Sequence, residues 1–271
     1  MLSSILLVLG VAVLGLAFRS FDHPIAQRLC VLCVLAVSFL LGYLPSGNWA
    51  VGLAVATLWI FLPWLEILTK IRALRMPLER ELESKSPPGR DLFPNLDDLT
   101  EEIEQEGFEL IDDLGCDWDA QQQFLRLFHR PTDQTQAALC LIDQGNIAFY
   151  YVSLMTRPIG GRVFMTWNYP FSYSLKFLPH TYIQRVRPSA SFVDICDAHQ
   201  LLLSRNKISI EAVPKLHPPQ IQALLQQDLT AQISHNVRAG LLAQVDEQKV
   251  RYTWRGMFYL WFRFLWDFVR L

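Results

Sequence analysis

Apolar residues are distributed unevenly along this chain. Three almost uninterrupted apolar stretches come first, at Leu2 to Phe18, Leu29 to Leu44 and Trp49 to Leu65. Through residue 69 the charged side chains are Arg19, Asp22, Arg28 and Glu66, whereas residues 70–113 are crowded with charge. A membrane-spanning helix needs roughly 20 predominantly apolar residues, with about 17 at the low end. The pattern therefore predicts three short transmembrane helices, at about 2–18, 29–44 and 49–68. The last two are separated by Pro45-Ser46-Gly47-Asn48, a turn too short for anything but a tight helical hairpin.

The periodicity then changes. Lys70 to Lys85 keeps a helical pattern until Ser86-Pro87-Pro88-Gly89 breaks it, which predicts a juxtamembrane helix and linker over residues 70–94. Asn95-Leu96-Asp97-Asp98 starts a short acidic helix that Gly107 stops. Phe108–Leu114, Phe124–His129, Ala137–Ile142, Ile147–Met155 and Val163–Tyr169 are rich in β-formers and separated by turn residues. Alternation is imperfect in the second, where Phe124, Arg126, Phe128 and Arg130 share one parity. The short connections require antiparallel pairing, hence a meander of four or five strands.

Helical periodicity returns after Ser189-Ala190-Ser191, running to about Ser204, and again from Pro218-Pro219 to about Ala243. Gln248 to Thr253 reads as a final strand. The pattern predicts an α+β fold: N-terminal transmembrane helices, then a cytoplasmic antiparallel β-meander over residues 95–253, covered by helices on one face.

The chain ends on WRGMFYLWFRFLWDFVRL, residues 254–271, an aromatic run threaded with Arg255, Arg263, Asp267 and Arg270. At about 100° per residue these four charges fall within about a third of a helix circumference. As a fourth span this segment would put Arg263 at mid-bilayer, at a cost of roughly 2.5–3.5 kcal/mol. An amphipathic helix lying in the membrane interface avoids that cost, with Arg255, Arg263 and Arg270 toward headgroups and Trp261 and Trp266 at the depth they favour. Packing against the spans is a close variant. The segment reads as a second membrane attachment point.

Charge adds an orientation. Arg19 and Arg28 flank the first loop, the second loop is uncharged, and Lys70, Arg72, Arg75 and Arg80 follow the third stretch. Basic residues near span ends stay on the cytoplasmic side, so the N-terminus is expected outside and the main domain in the cytoplasm. A cleaved signal peptide is the competing reading of residues 1–18, but no basic region precedes the apolar run. Glu66 lies at i,i+4 from Lys70, the spacing of an ion pair rather than of a transport site. The net charge of −2 argues against nucleic acid as a partner. Five scattered cysteines do not make a secreted disulfide framework, and Cys30-Val-Leu-Cys33 sits in an apolar run where thiolates are disfavoured.

Candidate chemistry is sparse. Cys196 and His199 sit at i,i+3 on a predicted helix, so a thiolate–imidazolium pair is one reading. Cys196 is more than a turn inside that helix, away from the dipole that would lower its pKa, and a buried thiol beside a surface or capping histidine is the preferred reading. The six histidines are scattered and predict no metal site, and no Gly-rich phosphate loop implies a cofactor. Thr166-Trp167-Asn168-Tyr169-Pro170 combines polar groups with aromatics at a strand end, which makes Asn168 a candidate ligand contact. This T-x-N-x-P strand end, with Thr253-Trp254-Arg255-Gly256 before the aromatic tail, resembles uncharacterised bacterial membrane-anchored proteins. The resemblance implies a bacterial inner membrane location and brings no catalytic residue or substrate.

The expected function is that of a non-enzymatic accessory, scaffolding or sensing protein in contact with the lipid bilayer and a protein partner. The alternatives are a membrane-tethered hydrolase or lipid-directed enzyme, and a lipid or small-ligand-binding module.

Overall fold

A computed structural model describes residues 2–21, 24–118, 121–145, 147–171 and 173–270; the side chains of residues 2, 3, 24 and 267–270 lie outside the described set. The architecture mixes helices and sheets, with two apolar helices near the N-terminus. Two compact units emerge, one of residues up to Leu74 together with those from Tyr252 onward, the other of residues 75–251.

The first unit begins with α1 (Leu2–Arg19), α2 (Pro24–Ser46) and α3 (Trp49–Glu66). Two helical runs, Ile25–Ser46 and Trp49–Ile71, are long and apolar enough to cross a membrane by length and composition, while Ser4–Arg19 is apolar but shorter. The α2–α3 hairpin turns at Gly47, whose φ of 60° suits glycine. Asn48 then caps α3 by accepting the Ala50 N–H at 2.9 Å. The helices approach closely because Gly52 has no side chain: a Cβ there would lie 2.8 Å from the Phe39 ring. Cys33 serves the same end, its Cβ facing Gly15 of α1. Trp59 Nε1 crosses from α3 to donate to Ser38 Oγ at 2.8 Å.

Beyond Glu66 the helix widens into a π turn, Ile67–Ile71, in which the Arg72 N–H reaches back five residues to the Ile67 carbonyl at 2.8 Å. The helical pattern read to Lys85 stops there. Pro77 cannot donate in a helix, and the segment instead supplies two short strands, β1 (Met76–Pro77) and β2 (Glu83–Ser84).

The second unit continues with α4 (Leu96–Gln105), β3 (Glu109–Trp118), β4 (Gln121–Arg130), β5 (Thr135–Asp143), β6 (Ala148–Thr156), β7 (Val163–Trp167), β8 (Thr181–Arg185), α5 (Phe192–Arg205), a single 3₁₀ turn, α6 (Pro218–Arg238), β9 (Leu242–Gln244) and β10 (Lys249–Tyr252). Among the described residues seven strands form one sheet in the order β2-β3-β4-β5-β6-β7-β8, and β1, β10 and β9 form a small second sheet. From β2 to β7 every pairing is antiparallel, the expected meander. The last pairing departs from it: β8 lies parallel to β7, Val163 opposite Thr181, after a crossover through residues 168–180. A parallel neighbour needs such a long connection.

Helices cover both faces of this sheet rather than one. The near-continuous burial of β4 explains the difference, because its two parities feed two cores. Phe124 and Phe128 join Phe93, Ile103, Leu139, Leu154 and Ile195 beneath α4 and α5. Leu125 and Leu127 join Leu114, Cys140 and Ile221 beneath α6. The two arginines on the Phe124 parity are accommodated by acids: Arg126 forks onto Asp113 at 2.8 and 2.7 Å and Arg130 onto Asp133 at 3.0 and 2.7 Å. Helix α5 opens on a capping box between Ser191 and Asp194. Helix α6 ends at Arg238, short of Ala243, because Gly240 at φ 71° turns the chain into β9.

The chain closes with α7 (Trp254–Arg270), which belongs to the first unit. Met257 and Leu260 are buried, Phe258 meets Trp64 edge-on at 5.0 Å, and Trp261 Nε1 donates to the Ile60 carbonyl at 2.7 Å. That carbonyl lies next to the turn where Pro63, lacking an N–H, interrupts the α3 hydrogen-bond ladder.

Candidate functional site

The residues singled out from the sequence do not converge. His199 is not the surface or capping histidine expected: it is 1% exposed and faces the sheet from α5, where two threonines take up its ring nitrogens. One ring nitrogen, Nε2, pairs with Thr156 Oγ1 at 2.9 Å and the other, Nδ1, with Thr166 Oγ1 at 3.0 Å; Thr156 in turn meets Thr135 at 3.2 Å. Burial drives the imidazole pKa down to about 4, with nearby Arg130 acting in the same direction against Asp133. Burial also pushes the Cys196 thiol up to about 11. Both groups are thus held neutral, the opposite of the thiolate–imidazolium state a nucleophile would need.

Asn168 is a bracket. Its Oδ1 accepts the Val152 N–H at 2.7 Å while its own N–H reaches the Val152 carbonyl at 3.2 Å, extending the β6–β7 ladder by one rung. Arg185 donates to the carbonyls of Tyr169 and Pro170 at 3.0 and 2.8 Å. With Thr166 bonded to His199, the polar groups of the T-x-N-x-P stretch hold strand ends together, while its Trp167 lines a cavity on the other face of the sheet. On α7, Trp254 and Trp266 are exposed, Phe262 stacks on Trp266 at 6.2 Å, and Arg263 Nε is buried without a partner among the described residues. Arg255 is exposed, and the side chain of Arg270 lies outside the described set. No group of three metal-binding side chains occurs among the described residues.

A cavity of about 150 Å³ lies elsewhere, between the α6 face of the sheet and α6 itself. Side-chain size opens it. Ala138 of β5 lies opposite Ser153 of β6, and Ser153 lies opposite Trp167 of β7, so small residues form the floor between larger neighbours. Leu225, Asp228, Leu229 and Gln232 form the roof at i, i+3, i+4 and i+7, one stripe of α6. The crossover contributes Tyr173 and Phe177, stacked at 4.3 Å with planes 9° apart.

Polar pins around its perimeter hold α6 over this floor. Gln222 Nε2 donates to Asp112 at 2.8 Å, and Gln226 accepts the Leu82 N–H at 2.8 Å while donating to the Arg80 carbonyl. Arg157 pairs with Asp228 at 2.5 Å. Asn236, fully buried, accepts the Lys176 N–H at 2.8 Å and donates to its carbonyl at 2.9 Å, and Gln232 donates to that carbonyl too. These last bonds fix the crossover and with it the Tyr173–Phe177 wall.

Charge is unwelcome inside. Burial lifts the Tyr151 hydroxyl far above its ordinary range and raises Tyr173, while the Cys140 thiol, bonded to Tyr151, rises to about 12. One group is left over: Gln136, 4% exposed and lining the cavity, has an amide Nε2 that is buried with no hydrogen-bond partner among the described residues. Sequence reasoning passed over Gln136, Ala138, Cys140 and Ser153. The signal was the run of small or polar residues on one parity of β5 and β6, which a covering helix cannot fill.

No family model matches this chain, and no curated protein and no solved structure matches it.

Proposed function

We propose that this chain is a membrane-anchored sensor that binds a small molecule between its sheet and α6. The observation that carries the reading is the cavity itself, whose aromatic wall of Trp167, Tyr173 and Phe177 is interrupted by a few polar side chains, Gln136 and Ser153 among them. Concavities of that make-up are where small ligands bind. The sensing role expected from the sequence then becomes sensing of that molecule, and a protein partner would read out its presence. In this reading α1, α2 and α3 all span the membrane, with the N-terminus outside and residues 75–251 on the cytoplasmic side. Lys70, Arg72 and Arg75 after α3 support that orientation, and the exposed leucines of α2 and α3, such as Leu32 and Leu65, support the spans themselves. We propose that α7 lies at the membrane interface beside α3, its exposed Trp254 and Trp266 in the headgroup region.

The test is native mass spectrometry of the full chain extracted in mild detergent. A small molecule should accompany the wild type and be missing from Ala138→Phe, which fills the floor. An identical profile for both proteins would sink the reading.

A further inference from the structure

We infer that the small sheet of β1, β10 and β9 docks through Lys249 and Arg251, with Arg75 across from them, onto anionic phospholipid headgroups of the bilayer that anchors the chain. The inference rests on the membrane-anchored part of the reading above and adds the kind of lipid surface that part meets; the cleft plays no role in it.

Strand pairing gathers these cations from distant parts of the sequence. Burial alternates along β10, with Lys249 and Arg251 exposed and Val250 and Tyr252 buried, so the two cations share one outward face. β1 runs antiparallel to β10 with Met76 opposite Val250 and Pro77 opposite Lys249, and the next position of that register sets Arg75 opposite Arg251. In the other direction the register continues through the Leu78 N–H, which donates to the Gln248 carbonyl at 2.7 Å, and sets Glu79 opposite Glu247. Asp246 belongs to the same turn and accepts the Gln248 N–H at 2.9 Å. The strand pair is thus cationic at one end and anionic at the other. Among the described residues no carboxylate pairs with Lys249 or Arg251.

Chain length decides which end meets the membrane. Arg75 lies four residues after Ile71, where the apolar run Trp49–Ile71 ends, and Arg251 lies three residues before Trp254, where α7 begins. Even fully extended, such intervals span at most about 14 and 11 Å. The headgroup layer is about 5–7 Å deep on each side of a bilayer, and the field of an anionic surface reaches about 8 Å further at physiological ionic strength. Both arginines therefore stay within its reach. Glu79 and Glu247 lie eight and seven residues from the same two points, far enough to stand clear of it. An uncharged bilayer gains nothing from this gradient. An anionic one attracts the near end and is spared the far one, each Lys or Arg near its surface strengthening docking about fivefold.

The Lys249 amine makes the test direct. The full chain is placed in nanodiscs of phosphatidylcholine alone, or with a third of that lipid replaced by phosphatidylglycerol, and acetylated with a water-soluble reagent while mass spectrometry follows each lysine. Lys249 should react about fivefold more slowly in the anionic discs. Lys207, exposed beyond the end of α5, should react at one rate in both, and molar salt should abolish the difference at Lys249. Arg251→Gln should restore most of the Lys249 rate, whereas Arg251→Lys, which keeps the charge, should preserve the protection. Equal Lys249 rates in the two discs, equal slowing of Lys249 and Lys207, or full protection in Arg251→Gln would each overturn the docking and leave the membrane anchor standing. If the chain enters discs of neither composition, the anchor itself falls and the docking with it.

Discussion

The two faces of the seven-stranded sheet solve the same packing problem differently. Beneath α4 and α5 the apolar side chains form one buried cluster, and His199, buried at its edge, has both ring nitrogens satisfied by threonines. Beneath α6 the helix is tied down at its rim by Gln222, Gln226, Asp228 and Asn236, while the centre is left open and one amide unsatisfied. The first face is built for stability. The second gives up packing at its centre, and such departures from local consistency concentrate at functional sites.

The contrast can be broken most forcefully on the packed side. Phe128→Ala, at a fully buried position, should destabilise the sheet by about 3–5 kcal/mol, read as loss of hydrogen-exchange protection in β4 and β5 of the detergent-solubilised chain.

Acid attacks the same face through His199. Its folded pKa of about 4 lies below the ordinary 6.5, so the unfolded chain binds a proton between those values and the native state does not. Its contribution is present above pH 6.5 and is lost as pH falls toward 4, by about 3 kcal/mol in all. His235, also lowered by burial, adds to the slope in the same direction. Denaturation across that window should show a flatter profile for His199→Gln; an unchanged slope would contradict the burial argument.

On the open side the effects shrink. Asn236→Ala strands the N–H of Lys176 and leaves its carbonyl to Gln232 alone, which should cost about 1–3 kcal/mol, confined to faster exchange in residues 173–178. Smallest of all, Ala138→Leu should change stability by no more than about 1 kcal/mol, because the added methylenes enter existing space. An equal loss from Ala138→Leu and from a similar enlargement at Ala137, which belongs to the packed face, would erase the distinction between the faces.

Much of this arrangement was legible in the chain. The turn at Gly47-Asn48, the meander strands, the Ser191 cap and the Pro218 start of α6 are local chemistry, and local chemistry survives into the fold. What escaped was set by distance. Strand β8 pairs with β7 in parallel only because a crossover pinned by Asn236 brings it back, and nothing in residues 181–185 announces that partner. The segment at 76–84 looked helical, yet its backbone at Arg80 and Leu82 is bonded by Gln226, up to 146 positions away. The candidate site escaped for a further reason. The reactive side chains Cys196, His199 and Asn168 stand out in the sequence, yet His199 and Asn168 are hydrogen-bonded in place and Cys196 is a buried neutral thiol, whereas the cavity is opened by small residues such as Ala138 and Ser153 that announce no chemistry.

The bond between Gln226 and the backbone at Arg80 and Leu82 also bears on how the molecule comes into being. On a ribosome, the floor of the cleft is complete once β7 has emerged, but its roof arrives tens of residues later. Until then the Ala138–Ser153 surface lies bare. A molecule that binds only the roofed form therefore favours the finished protein over every earlier one, in proportion to the logarithm of its concentration. The abundance of mature chains in the cell would itself follow the supply of ligand.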